Sequence, residues 1–237
     1  MSSSILSNLH MKNITRTKDP VNQPLITLEQ SIGLQSLGVM NNAVWYEDPK
    51  RLVFTLARYK FVAKMLMGKK RVAEIGCGDG FGSRIVRQEV ENLLITDYDP
   101  YFIEKFKQHP SERWPIDAKT HDILTAPLPE EVDAIYSLDV LEHITEESED
   151  IFLTNVCLSL QESGCAIIGM PSLESQIYAS PGSREGHVNC KSGNQLKSLL
   201  FQYFDHVFLF SMNDEVVHTG FSKMAHYLLA LCISPRR

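Results

Sequence analysis

The sequence predicts an α/β fold: a mainly parallel sheet with helices on both faces. Three observations carry that expectation. A short apolar strand, Val72 to Ile75, breaks into a glycine-rich turn that opens a helix through Ser83, Ile85 and Val86. Apolar runs of strand length then alternate with runs at helical spacing, the pattern of βαβ units. Two Asp-Pro pairs, Asp48-Pro49 and Asp99-Pro100, stand where helices should start.

Composition bounds the reading. A chain of 237 residues can build one α/β domain with a substantial core. Apolar residues at 43% and charged residues at 22% are the proportions of a water-soluble globular protein. A net charge of −6 argues against a nucleic-acid partner, which needs a basic face. The run Lys69-Lys70-Arg71 reads as a solvated face. The best apolar run, Ala225 to Ile233, is too short to cross a bilayer, so no membrane partner is expected. None of the five cysteines forms a Cys-x-x-Cys pair, and their number is odd. Free thiols in a reducing cytoplasm fit that usage. The Ser-rich opening shows no signal-peptide pattern.

In chain order, residues 1–40 are polar with little periodicity and read as a loose arm, disordered in part or packed on a partner chain such as a second copy. Residues 41–237 read as the folded domain. Trp45 and Tyr46 precede a helix capped by Asp48, with Leu52, Val53, Leu56, Tyr59, Val62, Ala63 and Leu66 at helical spacing. The organising strand follows. Leu93 to Thr96 reads as a second buried strand ending in Asp97, and Asp99-Pro100 opens the next helix. Ala118 to His121 is a weak third strand before Asp122, and Val132 to Ser137 a fourth. Thr145 to Leu160 is amphipathic, with Gly164 expected to close that helix. Cys165 to Met170 is a fifth strand, stopped by Pro171. The stretch 173–193 is polar and irregular. Gln195 to Phe204 is helical, and Val207 to Phe210 and Ala225 to Ile233 read as late strands pairing antiparallel. In such sheets ligands bind beyond the carboxyl ends of the strands, at the switch point.

The glycine turn identifies its ligand partly by exclusion. A dinucleotide fingerprint counted from Gly76 would need a third glycine at Phe81, and counted from Gly78, at Ser83; both registers fail. A P-loop would need a lysine that Gly82-Ser83 lacks. What stands here is Glu-x-Gly-x-Gly-x-Gly at Glu74, Gly76, Gly78 and Gly80.

That motif, with the acid inside the strand, resembles the first motif of class I S-adenosylmethionine (AdoMet) dependent methyltransferases. Three later landmarks extend the resemblance: Asp97 after the second strand, Asp122-Ile123 after the third, and Ser137-Leu138-Asp139-Val140-Leu141-Glu142-His143-Ile144 after the fourth. The resemblance spans roughly Trp45 to Ile233. It implies a single Rossmann-like domain with a mainly parallel seven-stranded sheet and an antiparallel C-terminal hairpin. It also implies AdoMet as cofactor, with S-adenosylhomocysteine as product. Backbone groups around Gly76 and Gly78 would hold the methionine end, Asp97 the ribose, and Asp122 with Ile123 would lie near the adenine; Glu74, Gly80 and Tyr98 would also bind the cofactor. Leu138 and Asp139 would lie beneath the methyl donor, and Tyr46 would close over it.

The acceptor side is less sharply written. His187, in the insert at 173–193, is the leading candidate for base or substrate anchor, followed by His143, since imidazole titrates near neutrality. Tyr178 and Arg184 of the insert, and His218 between the late strands, are candidates for binding substrate. No metal is expected, because His187 and His218 lack carboxylate partners at ligand spacing. The pattern resembles ubiquinone-biosynthesis and sugar-tailoring methyltransferases. This implies a small metabolite or glycan precursor as acceptor, methylated on oxygen in preference to nitrogen. A non-catalytic binding module and a nicotinamide-dependent oxidoreductase are the competing classes.

Overall fold

The computed structural model describes residues 15–236. Residues up to Ser36 form one compact unit and Leu37–Arg237 another. The first fourteen residues of the expected arm lie outside the described residues. The rest of the first unit carries secondary structure: a 3-10 turn at Pro20–Asn22, capped by the Asp19 side chain, then helix α1, Gln23–Ile32. Neither element buries a residue.

The second unit opens with α2 (Val39–Glu47) and α3 (Lys50–Met65). Strands and helices then alternate: β1 (Arg71–Ile75), α4 (Ser83–Arg87), β2 (Asn92–Asp97), α5 (Pro100–Lys107), β3 (Asp117–Thr120) and β4 (Val132–Leu138). A 3-10 turn at Leu141–His143 leads to α6 (Glu146–Leu158) and β5 (Leu160–Pro171). The insert contains a 3-10 segment, Leu173–Tyr178, and α7 (Pro181–Gly186). Helix α8 (Gly193–Leu200) and strands β6 (Phe204–Asn213), β7 (Val216–His218) and β8 (Tyr227–Pro235) complete the chain.

The strands form one sheet in the order β3-β2-β1-β4-β5-β8-β6-β7. The first five are parallel neighbours, while β8 runs antiparallel between β5 and β6. The order reverses at β1 and β4, so the loops after these two strands share a crevice. Side chains alternate across the sheet as strand geometry requires. Ile135, Ala166 and Ile168 face one core with α6 and α8. Ala134, Tyr136 and Ile167 face the other with α3, α4 and α5.

Four local expectations are corrected. The sheet has eight strands, because the turn at Asp214, in left-handed backbone at φ +49°, folds β7 onto β6. Gly164 does not close α6: the helix stops at Leu158, and Gly164 lies inside β5, whose backbone runs back to Leu160 beside Val132. Asp48 does not cap α3, whose first turn has no side-chain cap. The insert is built from two short helical pieces rather than irregular chain, each capped by a serine: Ser172 accepts from Ser175 N–H, and Ser180 from Ser183 N–H. No described helix is long and apolar enough to cross a membrane.

Candidate active site

The glycine turn joins β1 to α4. Gly76, Gly78 and Gly80 all have left-handed backbone, at φ +74°, +53° and +65°, which glycine adopts without the penalty of a Cβ. Their tasks differ. A Cβ on Gly76 would strike Val140, and one on Gly78 would sit 2.7 Å from Met40 Sδ, both on the crevice side. A Cβ on Gly80 would meet Phe106 at 2.7 Å and Ile95 at 2.9 Å, inside the core. Gly80 therefore lets the turn pack closely against α5 and β2.

Glu74 also packs inside the fold. Its carboxylate is buried beneath the turn, where it accepts hydrogen bonds from Tyr59 Oη (2.8 Å), Tyr136 Oη (2.7 Å) and Ser83 Oγ (2.5 Å). Burial pushes its pKa up to about 7, against the pull of these three donors. Glu74 thus ties α3, α4 and β4 to β1 and supports the turn from below.

Asp97 ends β2 beside the turn. Its Oδ2 accepts from Gly78 N–H at 2.8 Å and its Oδ1 from Asp99 N–H at 3.0 Å. Each oxygen keeps a second acceptor site, so the carboxylate can still receive two ribose hydroxyls. Asp122 follows β3; its Oδ1 accepts from Leu124 N–H, and Ile123 beside it is buried. Leu138 is buried at the end of β4, while Asp139 turns out at φ +58°. Tyr98 and Tyr46 are both exposed, the latter on α2. Asp97, Tyr98, Asp122, Ile123, Leu138 and Asp139 lie at or just after the carboxyl ends of β2 to β4, and the donor set fits AdoMet: carboxylates for hydroxyls and an amine, and no cation for a phosphate. AdoMet supplies an electrophilic methyl group on a sulfonium.

Sequence reasoning missed two fastenings of this crevice. Arg58 of α3 donates from Nη1 to both carboxylate oxygens of Asp139 at 2.8 Å, with its guanidinium 3.7 Å over the Tyr227 ring. Asp79, within the glycine turn, accepts from Asn41 N–H at 2.8 Å and Asn41 Nδ2 at 2.7 Å, which holds the start of α2. Neither partner falls at a spacing that sequence alone could signal.

On the acceptor side His143 and His187 come together, with ring centroids 5.2 Å apart. His187 caps the end of α7, and His143 ends the 3-10 turn after β4. One candidate ligand atom from each of Glu142, His143 and His187 lies within 4.8 Å of the others. The fold thus supplies the carboxylate partner that sequence spacing did not show for His187. Burial, then Asp139, raises the Glu142 pKa well above the usual carboxylate range. Burial, then His143, lowers that of His187.

The other acceptor candidates do not join this group. Arg184 donates to the carbonyls of Ala179 and Ile177 and so fastens its own loop. Tyr178 is exposed at the end of its 3-10 segment. His218 uses Nε2 on Asn213 Oδ1 and Nδ1 on Gly220 N–H, so both ring nitrogens serve its hairpin.

Comparison with known proteins agrees with this geometry. Residues 73–168 match the family model described as a methyltransferase domain. A probable S-adenosylmethionine-dependent methyltransferase of Mycolicibacterium smegmatis is 27% identical over 126 residues, 52% of this chain and 45% of that protein. One from Mycobacterium tuberculosis is 27% identical over 135 residues, covering 54% and 46%. The chain spans just under half the length of these curated relatives. Among solved structures, the N-methyltransferase NodS of Bradyrhizobium japonicum, in complex with S-adenosyl-L-homocysteine, superimposes with a TM-score of 0.60 at 20% identity. That match covers 87% of this chain and 98% of NodS. A TehB-like SAM-dependent methyltransferase of Corynebacterium glutamicum gives 0.60 at 18% identity, covering 83% and 97%. The chain thus has the fold of these methyltransferases, and residues 73–168 within it are similar to a methyltransferase domain.

Proposed function

We propose that the protein transfers the methyl group of AdoMet to an oxygen of a small metabolite or glycan precursor. The observation that carries the donor is Asp97, held against Gly78 N–H at the mouth of the β1 turn, with acceptor sites left for a ribose. The observation that favours oxygen is the cluster of Glu142, His143 and His187, which gathers proton-accepting groups. An amine acceptor needs only its lone pair, whereas a hydroxyl gains from groups that favour its deprotonated form.

In this reading the acceptor oxygen attacks the methyl carbon in line. The carbon–sulfur bond breaks, and its electron pair returns to sulfur as a neutral thioether. The hydroxyl proton is lost to water. The chain contributes position and exclusion of bulk solvent: the glycine turn and Asp97 hold the donor, and His187 anchors the acceptor.

Calorimetric titration with AdoMet, S-adenosylhomocysteine and NAD tests the donor. Binding of the first two without NAD is expected; tight NAD binding without AdoMet would overturn the reading. Comparing metabolites and glycans of a deletion strain for a lost methyl mass identifies the acceptor. With that acceptor, His187→Ala should lower turnover by about 100-fold or more while AdoMet binding is kept. Unchanged turnover removes His187 from the site. A methylated amine as the missing product removes the oxygen assignment.

A further inference from the structure

We propose that Glu142, His143 and His187 form a binding site for a divalent first-row transition-metal ion on the acceptor side of the crevice. This deepens the proposed function and rests on it only for the use the ion would have.

Both histidine rings are held in one tautomer. His143 Nδ1 lies 2.8 Å from the carbonyl of Gly186. A carbonyl can only accept, so Nδ1 carries the hydrogen and the lone pair of the neutral ring is on Nε2. His187 Nδ1 lies 2.8 Å from Gln176 Oε1. The Gln176 amide is pinned in that orientation, because its Nε2 donates to the Ser172 carbonyl at 3.1 Å. His187 therefore also donates from Nδ1 and keeps its lone pair on Nε2. Two imidazoles are set in the same state by two separate backbone and side-chain devices. Metal-bound histidines are held this way, with the far nitrogen donating to a carbonyl or carboxylate that fixes ring and tautomer.

The third member is Glu142. Its side chain is fully buried, and among the described residues neither carboxylate oxygen has a hydrogen-bond partner. A buried carboxylate without donors is costly and needs an explanation. The charge of Arg58 favours the ionised Glu142, but Arg58 hydrogen-bonds Asp139 through Nη1 at 2.8 Å and no hydrogen bond from it reaches Glu142. Lys191 is bound to Glu149 Oε2 at 2.8 Å and Asn189 Oδ1 at 2.8 Å. Three acceptors thus converge with no donor among them. A single proton would satisfy one pair, whereas a divalent cation satisfies all three.

The scaffold is rigid where this site needs it. Asn189 N–H donates to the Glu142 carbonyl at 2.9 Å, which ties the His187 loop to the turn carrying Glu142 and His143. Asn189 Nδ2 also donates to Glu149 Oε2 at 2.8 Å, and the Ser172–Lys191 bridge closes the far side of the loop. The ligand set of two imidazoles and one carboxylate suits Zn²⁺, Fe²⁺, Co²⁺ or Mn²⁺ better than Mg²⁺, which prefers oxygen alone. Three protein ligands leave a position open, and His143 is exposed while Glu142 is buried, so the opening faces solvent. An acceptor hydroxyl could take that position. Its oxygen would then be held for attack and its proton would leave to water more readily.

The test uses the full chain, stripped with a chelator and titrated with Co²⁺ alone, with no AdoMet or acceptor. Binding of one ion is expected, with visible d–d absorption and no thiolate charge-transfer band. Glu142→Gln and His187→Ala should each weaken Co²⁺ binding by about 10- to 100-fold or more. His218→Ala, on a separate hairpin, should leave it unchanged. Circular dichroism shows whether each variant folds; His187 lies in a partly exposed loop and carries the test if Glu142→Gln does not fold. No saturable binding by the wild type, equal binding by wild type and His187→Ala, or a thiolate band would each overturn the site. AdoMet titration of the same samples separates the two proposals. AdoMet binding with Co²⁺ binding insensitive to His187→Ala overturns the metal site alone. Sensitive Co²⁺ binding without AdoMet binding overturns the donor assignment alone.

Discussion

Arg58 Nη1 lies 2.8 Å from both carboxylate oxygens of Asp139, and this contact joins the third helix to the loop beneath the expected methyl donor. The two side chains are unequally buried: 15% of Arg58 is exposed and 39% of Asp139. Removing the partner of the deeper charge costs more. Asp139→Ala should therefore destabilise the fold more than Arg58→Ala, despite deleting the shorter side chain. After discounting for solvent around Asp139, the coupling in a double-mutant cycle should be about 1–2 kcal/mol. Urea denaturation of the two single variants and the double variant measures it. A coupling near zero would mean that solvent screening removes the pair's value.

Glu74 predicts a pH dependence of stability. Its folded pKa of about 7 lies above the model-peptide carboxyl value, so the native state holds this proton more tightly than the unfolded chain. Where the native state binds more protons, stability falls as pH rises. The loss should run between about pH 4.5 and 7 and level off above, with a total of the order of 3 kcal/mol. Glu74→Gln removes the titrating group and should flatten this part of the profile by about one proton. Urea denaturation between pH 5 and 8 reads the slope. An unchanged slope in the variant would assign the effect to another group.

The glycines with left-handed backbone should not be equivalent. Gly68 and Gly80 both have left-handed backbone, at φ +78° and +65°. A Cβ on Gly68 meets nothing within 4 Å, whereas one on Gly80 meets Phe106 and Ile95. Gly68→Ala should cost about 1–2 kcal/mol, from backbone strain alone. Gly80→Ala adds overpacking, for a total of about 2–5 kcal/mol. Thermal denaturation of the two variants compares them, and equal losses would show that α5 can retreat from the turn.

Much of this was legible in the sequence, for a physical reason. Strands β1, β2 and β4 are largely buried on both faces, so they read as nearly continuous apolar runs, with Gly76 and Gly78 just after β1 and Asp97 at the end of β2. The shortfalls arise where a role depends on partners far away in the chain. The buried hydrogen bonds of Glu74 come from Tyr59, Ser83 and Tyr136 on three other elements, and no local spacing announces them. Glu142 comes beside His187 only through the fold, so spacing could not place them together. Helix α2 buries no residue and therefore left no apolar stripe to read. Strand β8 could be recognised as a strand, but its insertion between β5 and β6 is a property of the sheet rather than of any local segment.

The attachment of α2 is the last relationship open to a direct measurement. Among the described residues this helix has no buried side chain and no side-chain cap, so its packing contributes little to holding it. Asp79 offsets that weakness: both its oxygens accept from Asn41, one from the main chain and one from the amide. Gly38, at φ +84°, lets the chain pass close to the same carboxylate, where a Cβ would sit 2.6 Å from Asp79 Oδ2. Hydrogen bonds to a charged acceptor are worth about 1.5–3 kcal/mol, and α2 has few other anchors. Asp79→Ala should therefore raise amide exchange across residues 39–47 by about 10- to 100-fold. Exchange in β4 and β5 should stay as it was, since the core strands open only with the whole unit. Hydrogen exchange read by mass spectrometry gives both in one experiment. If exchange at 39–47 is unmoved, α2 is held by its apolar contacts rather than by the carboxylate of the glycine turn.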